Sequence, residues 1–172
     1  HKLIIHNRNA TKASDLLAGG ANWAESPAAV AAAAEVLITM LADPAAVSVI
    51  AHGPEGILSV PGAQKSWIDA STLNPSFSIE MAATAAKQGY HYLDAPVAGS
   101  KAPAEAGELV FLVGGEETVC SACQPLFDLM GKKTIYAGAS GQGAALKMTI
   151  NNLLAHSMIA FAETMALGQG LG

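Results

Sequence analysis

The chain has 172 residues, 51% hydrophobic and only 13% charged, which suits one compact domain with a substantial core. A net charge of −5, with few Lys and Arg, argues against nonspecific nucleic-acid binding. Pro, Gly, Asp and Glu interrupt every apolar run before it reaches a membrane span, and no signal-peptide pattern opens the chain, so a cytoplasmic protein is expected.

In chain order, Lys2–Asn7 reads as a strand, followed by a helix over about Thr11–Ala18. Pro27 sits at the first turn of an alanine-rich helix reaching about Ala34. Glu35–Leu41 (EVLITML) predicts a buried strand, apolar on both faces, and Asp43-Pro44 caps and starts the next helix. Ser66–Ala70 is a strand, and Asn74-Pro75 opens a helix to about Gln88, ended by Gly89. Strands over Tyr90–Asp94 and Glu108–Val113 flank a loop over Ala98–Gly107. Then follow an amphipathic helix (Glu116–Met130), a short strand (Lys133–Tyr136) and a long helix (Gln142–Leu167). This alternation predicts an α/β fold, a doubly wound, mostly parallel sheet with right-handed crossovers.

Two segments carry chemistry. Gly138 to Asn151 reads GASGQGAALKMTIN. Gly138, Gly141 and Gly143 keep side chains out of a helix entrance whose N–H groups suit an anion. Lys147 and Asn151, four residues apart, share one face of that helix. A carboxylate at the entrance and a hydroxyl at the lysine would describe a small hydroxy acid. The same residues also fit a glycine-rich turn before a helix with a surface lysine. At 100° per residue, Lys147, Asn151, Leu154, Met158, Phe161 and Met165 lie within about 40° of one direction. The second segment, Asp94 to Ser100, reads DAPVAGS, an extended run ending in a small turn that a ligand can approach closely.

Together these segments resemble the β-hydroxyacid dehydrogenase family, which includes 3-hydroxyisobutyrate dehydrogenase, tartronate semialdehyde reductase and glyoxylate/succinic semialdehyde reductase. The family pattern D-A-P-V-S-G-G/S is met except at Ala98, where relatives carry serine, and G-x-x-G-x-G-x-x-x-K-x-x-x-N is met at every fixed position. The resemblance implies a Rossmann-like domain over residues 1–140, lacking its first strand and G-x-G-x-x-G turn. Residues 141–172 would begin the interdomain helix of a C-terminal all-helical domain. It also implies that Lys147 is the acid/base, Asn151 its orienting partner, and Ala98, Gly99, Ser100, Gly141 and Gly143 the substrate seat.

Ligands in such sheets lie beyond the carboxyl ends of the strands. Asn7-Arg8 occupies the place where NAD-selective enzymes carry an acidic residue, so a 2′-phosphate and hence NADP are expected, with NAD as the lesser option. By the same resemblance Leu41 and Ala42 would line the adenosine or pyrophosphate side, Ala46 falls where relatives often contact cofactor, and Thr72 would approach the nicotinamide ribose. A homodimer or homotetramer would form through the helical domain. The expected partners are a small carboxylate substrate and no nucleic acid or membrane. The expected function is interconversion of a small β-hydroxy acid and its semialdehyde or keto form. Alternatives are an imine-reducing relative, a group that generally lacks the lysine, and a noncatalytic nucleotide-binding or scaffold module should the short chain be complete. Cys120 and Cys123 form a CxxC spacing with no second pair, which reads as reduced thiols on a helix. His6, His52 and His91 are isolated, and His156 and Glu163 lie on another face of the long helix, so no metal site is expected.

Overall fold

A computed structural model describes residues 2–172. Three of its helices start from the same local signal. At α2 (Pro27–Ala33), α3 (Pro44–His52) and α4 (Pro75–Lys87), proline takes the first helical position after a residue whose side chain caps the turn. Ser26 Oγ accepts from Ala29 N (3.2 Å), Asp43 Oδ1 from Ala46 N (2.8 Å) and Asn74 Oδ1 from Phe77 N (2.8 Å).

Strands β3 (Val36–Thr39), β4 (Ser66–Asp69) and β5 (His91–Asp94) run parallel and in register. Side-chain alternation therefore sends Leu37, Trp67 and Tyr92 to one face and Ile38, Ile68 and Leu93 to the other. The first face meets α2, α3 and α4 in a core that adds Ala31, Val47, Ala51, Met81 and Ala85. The second meets α6 (Glu117–Met130), whose Val119, Cys120, Cys123 and Phe127 pack on Ile68, Leu93 and Phe111. Helices on both faces make this a doubly wound α/β fold of the Rossmann type.

Edge position corrects one expectation. The segment Glu35–Leu41 is not buried on both faces: Ile38 is 46% exposed and Met40 67%. β3 ends the strand order, and α6 packs on β5, β7 and β8, leaving the Ile38 face of β3 open.

The sheet is mostly parallel, as expected, with one reversal. Beyond Asp94 the chain bends at Ala95-Pro96 and continues as β6 (Val97–Ala98) along the edge of β7 (Leu109–Gly114). Leu112 N donates to Pro96 O across the bend (2.9 Å). The expected loop over Ala98–Gly107 begins at the last residue of β6 and holds a short helix, α5 (Lys101–Glu105). That connection is spent on β6 and one turn of helix, and β6 pairs antiparallel with β7, so β7 enters antiparallel to β5. The longer route through α6 then returns β8 (Gly131–Gly138) parallel to β7, and β8 is longer than the expected Lys133–Tyr136.

At the amino end, β1 (Ile4–Ile5) pairs in parallel with β2 (Asn22–Trp23), a strand without a period signal in the sequence. A 3-10 turn (Ala10–Ala13) and α1 (Ser14–Ala18) replace the single expected helix. Among the described residues no ladder joins this pair to the six-stranded sheet. The last helix, α7 (Gln142–Leu171), buries only Gly143 and Ala144 and exposes Leu153, Leu154, Met158, Ile159, Phe161 and Met165. Among the described residues no helix is long and apolar enough to cross a membrane.

At the carboxyl end of the sheet the first face becomes polar. Trp67 Nε1 donates to Thr39 Oγ1 (3.0 Å), and Tyr92 Oη donates to Oδ2 of fully buried Asp69 (3.0 Å). Burial, then the Asp69 charge, then the Asp94 charge push the Tyr92 phenol well above its ordinary 10.0. Stability from the neutral phenol is thus complete below pH 10.0 and lost as pH rises through the higher folded value. Tyr92→Phe should cost about 1–3 kcal/mol at neutral pH by stripping Asp69 of a donor. It should also flatten the loss of stability above pH 10.0, as followed by denaturant unfolding; identical alkaline slopes would refute the assignment.

Candidate active site

Asp69 and Asp94 stand in register at the ends of β4 and β5, one strand spacing apart. Each has its own donors. Asp69 Oδ1 accepts from Ser71 N (3.0 Å), which shapes the turn after β4. The Ser71 hydroxyl in turn accepts from Leu41 N (2.9 Å), tying the turn after β3 to the turn after β4. Sequence reading had not selected Ser71; a small polar residue between a strand end and a helix cap was its signal.

Asp94 reaches further. Its Oδ1 accepts from Gly141 N (2.7 Å) and its Oδ2 from Ala144 N (2.8 Å). The entrance of α7 is therefore already occupied by the protein's own carboxyl group. Gly141 and Gly143, expected in the substrate seat, are both buried, and the entrance they form faces β5. Burial pushes the Asp94 carboxyl above the ordinary carboxylate range, and N–H groups of Gly141, Ala144 and Gly143 pull it back.

The glycines serve this junction. A Cβ on Gly143 would lie 2.3 Å from Leu112 O and 2.6 Å from Asp94 O, and one on Gly114 would lie 2.7 Å from Asp94 Oδ1. Gly141 sits at φ +89 with Ile79 beside it. Gly143→Ala should destabilise the protein by about 1–3 kcal/mol or more through overpacking. Gly168→Ala, in the exposed part of the same helix with nothing within 4 Å, should instead stabilise it by about 0.5–1 kcal/mol. Chemical denaturation of both variants checks the contrast.

Lys147 lies one turn beyond Ala144 and is half-buried; Asn151, four residues on, is exposed. After β6, Ala98 is half-buried while Gly99 and Ser100 are exposed, and the Ser100 side chain makes no capping bond to α5. Gly99 is at φ +137, with Leu109 and Pro103 where a Cβ would go, so the turn requires glycine. Around the β3 and β4 turns, Ala42 and Thr72 are exposed and Ala46 is half-buried, its N–H taken by Asp43. Asn7 and Arg8 are exposed after β1, where Asn9 caps the 3-10 turn through Thr11 N (3.0 Å). Among the described residues, no hydrogen bond ties this segment to the turns after β3, β4 or β5.

Measured against a dinucleotide, the residues fit in part. The exposed guanidinium of Arg8 offers planar donors for a phosphate, and Thr72 offers a hydroxyl. The turns after β1 to β4 contain no glycine, so none of them cradles a pyrophosphate. Two cavities, of about 160 and 270 Å³, involve none of these residues; the first lies by His91, Glu116 and Ser140, the second by His52, Leu58 and Gln88. Cys120 and Cys123 are free and buried, and burial pushes both thiols up, which suits inert core residues. No metal-ligand cluster occurs among the described residues.

A parallel sheet covered by helices on both faces, with its loops gathered at the carboxyl edge, is the architecture of the dinucleotide-binding α/β folds. The family model for the NAD binding domain of 6-phosphogluconate dehydrogenase matches residues 1–138, and the chain belongs to that family. It is 36% identical over 170 residues to glyoxylate/succinic semialdehyde reductase 2, chloroplastic, of Arabidopsis thaliana, covering 99% of this chain and 48% of the relative. A structure of Mycobacterium tuberculosis 3-hydroxyisobutyrate dehydrogenase with L-serine superposes with a TM-score of 0.87 at 34% identity, covering 96% of this chain and 56% of that one. Psf3 in complex with NADP+ and 2-OPP gives a TM-score of 0.89 at 29% identity, covering 100% and 61%. The chain thus spans about half the length of the curated relative.

Proposed function

We propose that this chain is the cofactor-binding part of an NADP-dependent oxidoreductase that interconverts a short β-hydroxy acid and its semialdehyde or keto form. The observation that carries the reading is the half-buried Lys147, held one turn above a helix start that is locked onto the carboxyl end of β5. When bound, the nicotinamide supplies or accepts the hydride. Lys147 then has the complementary proton: in reduction its ammonium donates to the developing hydroxyl oxygen, and in oxidation its neutral amine takes the hydroxyl proton. The Asn151 amide orients substrate or lysine from the next turn of the same face.

With the α7 entrance filled by Asp94, the donors left for a substrate carboxylate are the Gly99 and Ser100 N–H groups and the uncommitted Ser100 hydroxyl. The methyl of Ala98 offers no hydroxyl there. That modest donor set suits short acids such as glyoxylate, tartronate semialdehyde or succinic semialdehyde, and the name of the Arabidopsis relative lies in the same class. The exposed apolar length of α7 supports burial against further helices, through which a homodimer or homotetramer is expected.

Lys147→Ala in the full-length protein should lower kcat by about 10²–10⁴-fold while cofactor binding persists. Steady-state kinetics with a panel of short semialdehydes check this, and retention of more than about half of wild-type kcat would remove Lys147 from the chemistry. Arg8 supports the cofactor preference, and an NADP+ complex of the related Psf3 is consistent with it. A charge-assisted pair with the 2′-phosphate is worth about 1.5–3 kcal/mol, or roughly ten- to a hundredfold in kcat/KM between NADPH and NADH. Arg8→Asp should reverse the order; equal kcat/KM for the two cofactors in the unaltered protein would refute this role.

A further inference from the structure

We propose that Asp94 is a positioning residue for Lys147, its buried carboxylate fixing both the height and the rotation of the helix that carries the lysine. The inference rests on the acid/base reading of Lys147 and adds what holds that side chain in place.

Attachment at two separate points is the central observation. Oδ1 takes Gly141 N and Oδ2 takes Ala144 N, so one rigid carboxylate spans the first turn of α7. A single bond would let the helix swivel about it; two donors, three residues apart around the turn, remove that freedom. The carboxylate is itself held, since Asp94 is 2% exposed and paired on both sides, with Asp69 of β4 and Gly114 of β7. Gly143 and Gly114 bring the backbones into direct contact beside it. Beyond residue 147 every residue of α7 is exposed, so this first turn is where the described chain grips the helix.

Lys147 is three residues past Ala144 and four past Gly143, directly above the grip. Its ammonium stands several Å outside the helix's Cα radius of about 2.3 Å, so a rotation of about 20° would sweep it through roughly 2–3 Å. Misplacement of a reacting group by about 1 Å can cost on the order of 10²-fold in rate. Asp94→Asn keeps the shape but offers one acceptor and one N–H₂ group, which opposes the second backbone donor and reduces two attachments to one.

The test is a double-mutant cycle on kcat in the full-length protein, with cofactor KM and thermal unfolding measured alongside. Asp94→Asn alone should lower kcat about 10–100-fold with cofactor KM within about twofold, and in a Lys147→Ala background it should add less than about threefold. A merely structural role would multiply through in both backgrounds. Multiplicative losses, or near wild-type kcat in Asp94→Asn, overturn the proposal. Should Asp94→Asn not fold, Gly114→Ala replaces it in the cycle, because its Cβ would press on Asp94 Oδ1 and on Gly143 N, each at 2.7 Å. Failure of both variants to fold also overturns the proposal, leaving Asp94 as a folding determinant. An active Lys147→Ala single variant would instead sink the acid/base reading itself, whatever Asp94 does.

Discussion

The hydrogen-bonded junction of Asp94 with the start of α7 is the constraint on which the rest of this edge depends. β5 delivers the carboxylate because strand alternation puts Asp94 on the same face as Tyr92 and Trp67. α7 delivers the donors because every helix begins with N–H groups that lack a partner within the helix. Glycines at 114 and 143 let the two approach to backbone contact. Removing any of these would leave a buried charge or buried donors without partners, which is costly in an interior of low dielectric.

The same accounting recurs along the carboxyl edge. Asp43 takes Ala46 N, Asp69 takes Tyr92 Oη and Ser71 N, and the Ser71 hydroxyl takes Leu41 N. The protein's own carboxylates and hydroxyls thus consume much of the backbone donor supply that anionic ligands use at other sheets of this kind. What remains at the surface is mainly side chains: Arg8, Thr72, Ser100, Lys147 and Asn151. On the proposed reading, specificity for ligand and cofactor therefore sits in a few long or mobile groups over a firmly bonded frame.

Much of the frame was legible in the sequence because its signals are local. Ser26-Pro27, Asp43-Pro44 and Asn74-Pro75 announce helix starts by a cap and a fixed φ, and each start falls where those pairs put it. The mostly parallel sheet was legible from the alternation of strands and helices, but the opposite sense of β7 was not, since apolar residues specify a strand and not its direction; the antiparallel pairing of β6 with β7 decided that. The two-residue β1 and β2 are too brief for periodicity to register. The Asp94 bond spans 47 residues to Gly141, beyond any local pattern. One clue was present. The residue capping α7 is a glycine, which has no side chain to cap with, so an acceptor had to come from elsewhere in the fold.

Glycine-rich turns are commonly read as hinges, yet Gly141 and Gly143 make the opposite kind of joint. Here strand backbone fills the place of a side chain at Gly143, α4 fills it at Gly141 through Ile79 and Pro75 O, and bonds to a buried carboxylate close the remaining gaps. Such a joint transmits displacement without slack. Any bending of the long helix against the sheet must then take place further along, from Met148 onward, where solvent surrounds it. Lys147 is consequently tied to the nucleotide-binding sheet and not to the exposed length of its own helix.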